Sequence, residues 1–127
     1  MGMYTELYVC TQIKNDPVPV EIIKYMLGDN NVDLHLPDHA LFKTPRWESM
    51  LFCNSHSFVP RSMHLFEFDT ISDNWCFISR SDFKNYDDEI KLFFDWLRPY
   101  LAEPYGMIGY YRYEQDENPT IVYGEVV

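Results

Sequence analysis

His35 and His39 stand four positions apart with Asp38 between them, close enough in sequence to share a divalent metal. Pro37 interrupts the pair, no helical pattern aims both imidazoles one way, and no third ligand follows at a recognisable spacing. No metal centre is expected. The other histidines are His56 and His64. A nucleophile needs a strand-to-helix elbow flanked by small residues. Ser79 and Ser81 precede a helical pattern without such neighbours. A phosphate cradle needs a glycine-rich loop before a helix, and of the five glycines only Gly28 lies near one, at its C-terminal end. Twenty acidic side chains offer many carboxylate pairs and single out none as acid and base. The sequence therefore predicts no catalytic residue and no cofactor.

The most suggestive constellation is Arg112 among Tyr110, Tyr111 and Tyr113, with Arg80 as a second guanidinium. Aromatic faces beside a guanidinium can hold a nucleotide or another flat anion by stacking and charge. That gives one functional reading, a sponge or sensor for a nucleotide-like ligand. The alternative is architectural: Arg80 and Arg112 pair across strands with Glu67 and Asp69 while the tyrosines pack, and this is the favoured one.

Charge points to a different function. Twenty acidic against ten basic side chains give a net charge of −10, which nucleic acid and anionic membranes repel. A chain of this kind can occupy a basic groove on another protein. The expected docking residues are Asp29, Asp33, Asp38 and Trp47 on a long irregular segment, with Glu114, Asp116 and Glu117 in a charged turn. The leading reading is a non-enzymatic acidic binding protein.

These side chains need a scaffold, and the clearest part of it is residues 86–101. Tyr86, Ile90, Phe93, Phe94, Leu97 and Leu101 fall on one helical stripe. Asp87, Asp88, Lys91, Asp95 and Arg98 gather opposite, with Asp87–Lys91 and Asp95–Arg98 at ion-pair spacing. Asn85 can cap the start, and Pro99 should stop or kink the end. Leu92 and Trp96 widen the stripe; they either lie beneath Phe42 or Trp47 of the long segment or meet a second copy in a homodimer.

Residues 4–13 alternate as a strand with Leu7 and Val9 facing the core, and residues 18–27 read as a helix stopped by Gly28. Strands are expected at 49–54, 63–70, 75–80, 105–113 and 120–123, with turns at 59–62 and 72–74. At 127 residues this is one α+β domain: about six mostly antiparallel strands with two helices on one face, ferredoxin-like, and laid out as a doubled βαββ unit. Lys14-Asn15 and Lys84-Asn85, 70 positions apart, fit that doubling. Cys10, Cys53 and Cys76 are isolated in apolar runs and are expected as buried, reduced thiols of a cytoplasmic protein. No run approaches the ~18 apolar residues of a membrane span, and the first residues match neither a secretion signal nor a myristoylation pattern.

Leu36-Pro37-Asp38-His39, Arg46-Trp47, Lys84 to Ile90, and Tyr113-Glu114 leading to Pro119-Thr120 together resemble a group of small acidic proteins encoded by phages and prophages of Gram-positive bacteria. The likeness spans most of the chain and brings no catalytic residue. It implies an intracellular accessory protein of a mobile element, a class that includes inhibitors of host defence.

Overall fold

The computed structural model describes residues 4–52 and 63–125. Cys53, His56, the 59–62 turn, the last two residues of the expected 49–54 strand and the extreme N-terminal pattern lie outside them.

The elements run β1 (Thr5–Lys14), α1 (Pro17–Met26), short 3-10 helices at Ala40–Lys43 and Trp47–Ser49, β2 (Met63–Asp69), β3 (Asn74–Phe83), α2 (Glu89–Leu97), a 3-10 turn at Arg98–Tyr100, β4 (Met107–Tyr113) and β5 (Thr120–Tyr123). The strands form one antiparallel sheet in the order β2-β3-β1-β4-β5. The architecture is α+β, with two helices and five strands among the described residues. The stretch expected to open a sixth strand is instead the 3-10 helix at Trp47–Ser49 followed by a turn. The halves are thus βαβ and βαββ among the described residues, not two equal βαββ units.

Local chemistry explains the boundaries. At α1, the Asp16 side chain accepts from Val18 N–H at 3.0 Å and Pro17 occupies the first turn. The helix closes where Gly28, at φ 102°, turns left-handed: Gly28 N–H bonds the Tyr25 carbonyl and Asp29 N–H bonds that of Lys24, a Schellman closure. Ahead of α2, the Asn85 side chain accepts from Ile90 N–H at 3.1 Å and so satisfies a first-turn donor, although the N-cap position itself is Asp88, whose side chain makes no capping bond. Pro99 ends the α-helix in the 3-10 turn.

Leu7, Val9 and Ile13 of β1 share one buried cluster with Ile22, Ile23 and Met26 of α1 and Ile90, Phe93, Phe94 and Leu97 of α2. Burying large apolar side chains of this kind contributes about 1.5 to 3 kcal/mol each, before chain entropy is set against it. Gly109 has no room for a side chain, because a Cβ there would overlap the Tyr8 carbonyl of the neighbouring strand and press on Phe94 Cζ at 3.2 Å.

Two expectations for α2, the place of Tyr86 and the partner of Asp87, are corrected. Tyr86 precedes the helix and is 57% exposed, so it is no part of the buried stripe. Glu89, in the first turn, is fully enclosed. Asp87 pairs with Arg46 rather than Lys91, whereas Asp95 and Arg98 do pair, at 2.9 Å. Trp96 lies under Phe42, ring centroids 5.6 Å apart, so this flank is covered from within the chain. Cys10 is also corrected: its side chain falls on the sheet face away from Leu7 and Val9 and is exposed, while Cys76 is partly buried. Among the described residues no helix is long and apolar enough to cross a membrane.

Candidate functional site

On the sheet face opposite the helices, register brings together side chains from three strands. Glu6 of β1 stands opposite Asp82 of β3 and Arg112 of β4, and the next outward-facing row is Arg80, Tyr8 and Tyr110. Arg80 donates through Nε to Glu6 Oε2 at 2.9 Å, and its Nη2 lies 3.0 Å from Asp82. Arg112 Nε is 3.5 Å from the other Glu6 oxygen. Glu6, Arg80 and Asp82 are buried. Pairing across strands is therefore what these arginines do, but the partner both share is Glu6, with Asp82 two residues along Arg80's own strand, rather than Glu67 and Asp69.

The tyrosines divide by parity. Tyr110 stacks on Tyr8 at 5.1 Å on the charged face, where burial and then the Glu6 charge push its hydroxyl pKa up. The Tyr8 hydroxyl is raised too, first through its hydrogen bond with Cys10 and then by burial. Tyr111 and Tyr113 stand opposite Leu7 and Thr5 and point to the helix side. Arg80, Tyr110 and Arg112 thus form one group, and Tyr111 and Tyr113 do not join it. The group holds two acids against two bases and is balanced without an added anion.

The expected docking residues also separate. Trp47 is 5% exposed, held edge-on to Phe42 at 4.9 Å and beside Tyr25 at 5.9 Å, so it is a core residue and offers no contact surface. Asp33 lies 3.2 Å from His35, and Asp38 lies 3.2 Å from Lys43. The His39 Nδ1 accepts from Leu41 N–H at 3.1 Å, capping the Ala40–Lys43 turn, and Asp29 accepts from Asn31 N–H at 2.9 Å. The long segment thus uses its polar side chains to hold its own shape. No three His, Cys, Asp or Glu side chains converge on a metal position among the described residues.

Glu114, Asp116 and Glu117 differ. They occupy the β4–β5 turn, with Asp116 and Glu117 exposed and Glu114 partly so. The turn is shaped by backbone acceptors: Asp116 N–H bonds the Tyr113 carbonyl at 2.8 Å, and Arg112 Nη1 donates to the Asp116 carbonyl at 3.0 Å. Among the described residues no cation pairs with any of these three carboxylates. Asp116 also shares the wall of a cavity of ≈ 150 Å³ with Asn85, Tyr86 and Tyr113, which sets the turn beside the start of α2, where Asp88 is exposed. The sequence did not indicate Asp88 as a companion of this turn; its spacing placed it only on the polar side of the helical stripe.

No protein-family model, curated protein or solved structure matches this chain.

Proposed function

We propose that this protein is a non-enzymatic binding protein that docks on a basic protein surface through the β4–β5 turn. The observation that carries this reading is the uncompensated charge of Glu114, Asp116 and Glu117 on a turn whose shape does not depend on those side chains. Carboxylates left unpaired at the surface steer an oppositely charged partner and set the register of docking. The net charge of −10 adds long-range attraction toward such a partner and repulsion from nucleic acid. The resemblance to phage-encoded acidic proteins suggests a host protein as that partner, with a component of a bacterial defence system as the target class and the host cytoplasm as the place of action.

The framework under this reading is ferredoxin-like. What supports it is the run β1-α1-β2-β3-α2-β4 with antiparallel order β2-β3-β1-β4, to which β5 adds an edge strand. That edge strand creates the β4–β5 turn and so the docking element.

The test is capture from host lysate at low and high salt, run in parallel with a variant lacking the three carboxylates. The reading expects a retained protein that is released as salt rises and that the variant fails to hold. Retention equal for both proteins, or insensitive to salt, would overturn it.

A further inference from the structure

A cavity of ≈ 400 Å³ lies between α2 and β5. Its helical wall is Lys91, Phe94 and Asp95 of α2 with Arg98 just past the helix end, and opposite them are Thr120 to Tyr123, with Tyr111 from β4. Its size falls within the range of small-ligand sites, about 300 to 1,000 Å³, and its surface is mainly apolar, as such sites usually are.

The other charged groups around it, Asp95, Arg98 and Glu125, are committed. Arg98 pairs with Asp95 at 2.9 Å and donates to the Tyr123 carbonyl at 3.3 Å, and Glu125 accepts from Gly106 N–H at 2.9 Å. Lys91 is exposed and has no partner among the described residues. Among the described residues every other cation has one. Lys14 donates to the Pro99 carbonyl, and Lys24 and Lys84 lie over the rings of Trp75 and Tyr4. Lys43, Arg46, Arg80, Arg98 and Arg112 each lie against a carboxylate. In a chain of net charge −10, surplus carboxylates are abundant, yet the one cation without a partner among the described residues lines this apolar groove.

We infer that the α2–β5 groove binds a small amphipathic carboxylate, its apolar body lying along Phe94, Tyr111 and Val122 and its anionic head meeting Lys91. A charge-assisted contact to the ammonium orients the ligand, and apolar burial supplies most of the affinity. This site is separate from the acidic turn and stands or falls independently of docking.

Decanoate is a suitable probe and decanol its neutral counterpart, followed by amide chemical shifts of the labelled full-length protein. The inference expects saturable shifts centred on Lys91, Phe94, Thr120 and Val122 with decanoate, and weaker binding of decanol. Lys91→Met, which breaks no contact, should weaken decanoate by about tenfold, the scale of one charge-assisted hydrogen bond. Thr120→Trp, at an exposed edge-strand position, should block the groove. Absence of saturable shifts there, equal affinity for decanol, or unchanged binding in either folded variant would overturn the assignment.

Discussion

Arg46 Nε lies 3.4 Å from the Glu89 carboxylate, and Glu89 is fully enclosed. The same guanidinium reaches Asp87 at 2.7 Å, donates to the Lys84 carbonyl at 3.3 Å and sits 5.0 Å from the Tyr86 ring centre. Glu89 in turn accepts from Asp87 N–H at 2.9 Å. One side chain at the close of the long segment therefore ties that segment to the start of α2 and provides the charge partner of a carboxylate removed from water.

Replacing Arg46 by Met should destabilise the fold by about 3 kcal/mol, because it strands a buried carboxylate rather than merely deleting a surface pair. Urea unfolding would measure the loss, and adding Glu89→Gln should return a substantial part of it. A variant as stable as the parent would show that this pair holds nothing together.

Trp47→Ala should cost about 3 to 5 kcal/mol, the usual range for removing a buried large aromatic side chain. Thermal and urea unfolding would report it. An exposed docking residue would instead leave stability unchanged and weaken partner binding alone, so the two roles separate in one pair of measurements.

The contrast between Trp47 and Leu7 explains what could be read from the chain alone. Leu7 and Val9 sit in an alternating run whose parity matches the strand period, and β1 lies where that pattern indicates. Pro17, Gly28 and Pro99 act through their own backbones, so the helix ends follow from residue type. Trp47 lies in a segment with no period, and its burial depends on Phe42 and Tyr25, which only the tertiary structure brings beside it. Arg80 and Arg112 were legible as charges, but their choice of Glu6 depends on register, and a one-residue slip would turn those side chains to the other face. The α2–β5 groove was not legible at all, since Lys91 looked like a helix-surface partner of Asp87 until Arg46 took that carboxylate.

Asp69 gives a pH-dependent test. Its carboxylate accepts from Ile71 N–H and from the Ser72 hydroxyl, each at 3.0 Å, in the turn joining β2 to β3. The hydrogen bond from Ile71, followed by that from Ser72, lowers its pKa below the ordinary 3.8. A lowered folded-state pKa means stability that is present above the unfolded value and lost as pH falls through the folded one. Asp69→Asn should therefore be less stable than the parent at about neutral pH, and the difference should shrink once the pH drops below the ordinary carboxylate value. Urea midpoints across an acid series would check this; a difference that stays constant into acid would mean the charge is not what matters.

The acidic turn allows charge to be removed with little structural consequence. Asp116 anchors the turn through its backbone N–H and carbonyl, and neither Asp116 nor Glu117 makes a side-chain contact that shapes it. Replacing Glu114, Asp116 and Glu117 by Ala should therefore shift stability by no more than about 0.5 kcal/mol, as is usual for surface changes away from special features. The same variant should weaken the complex with a basic partner and flatten its salt dependence, since fewer charges remain to steer and hold it. Affinity measured at two salt concentrations beside a thermal melt separates the two effects. Parent-like affinity with parent-like salt dependence, in a variant that melts normally, would move the docking surface elsewhere.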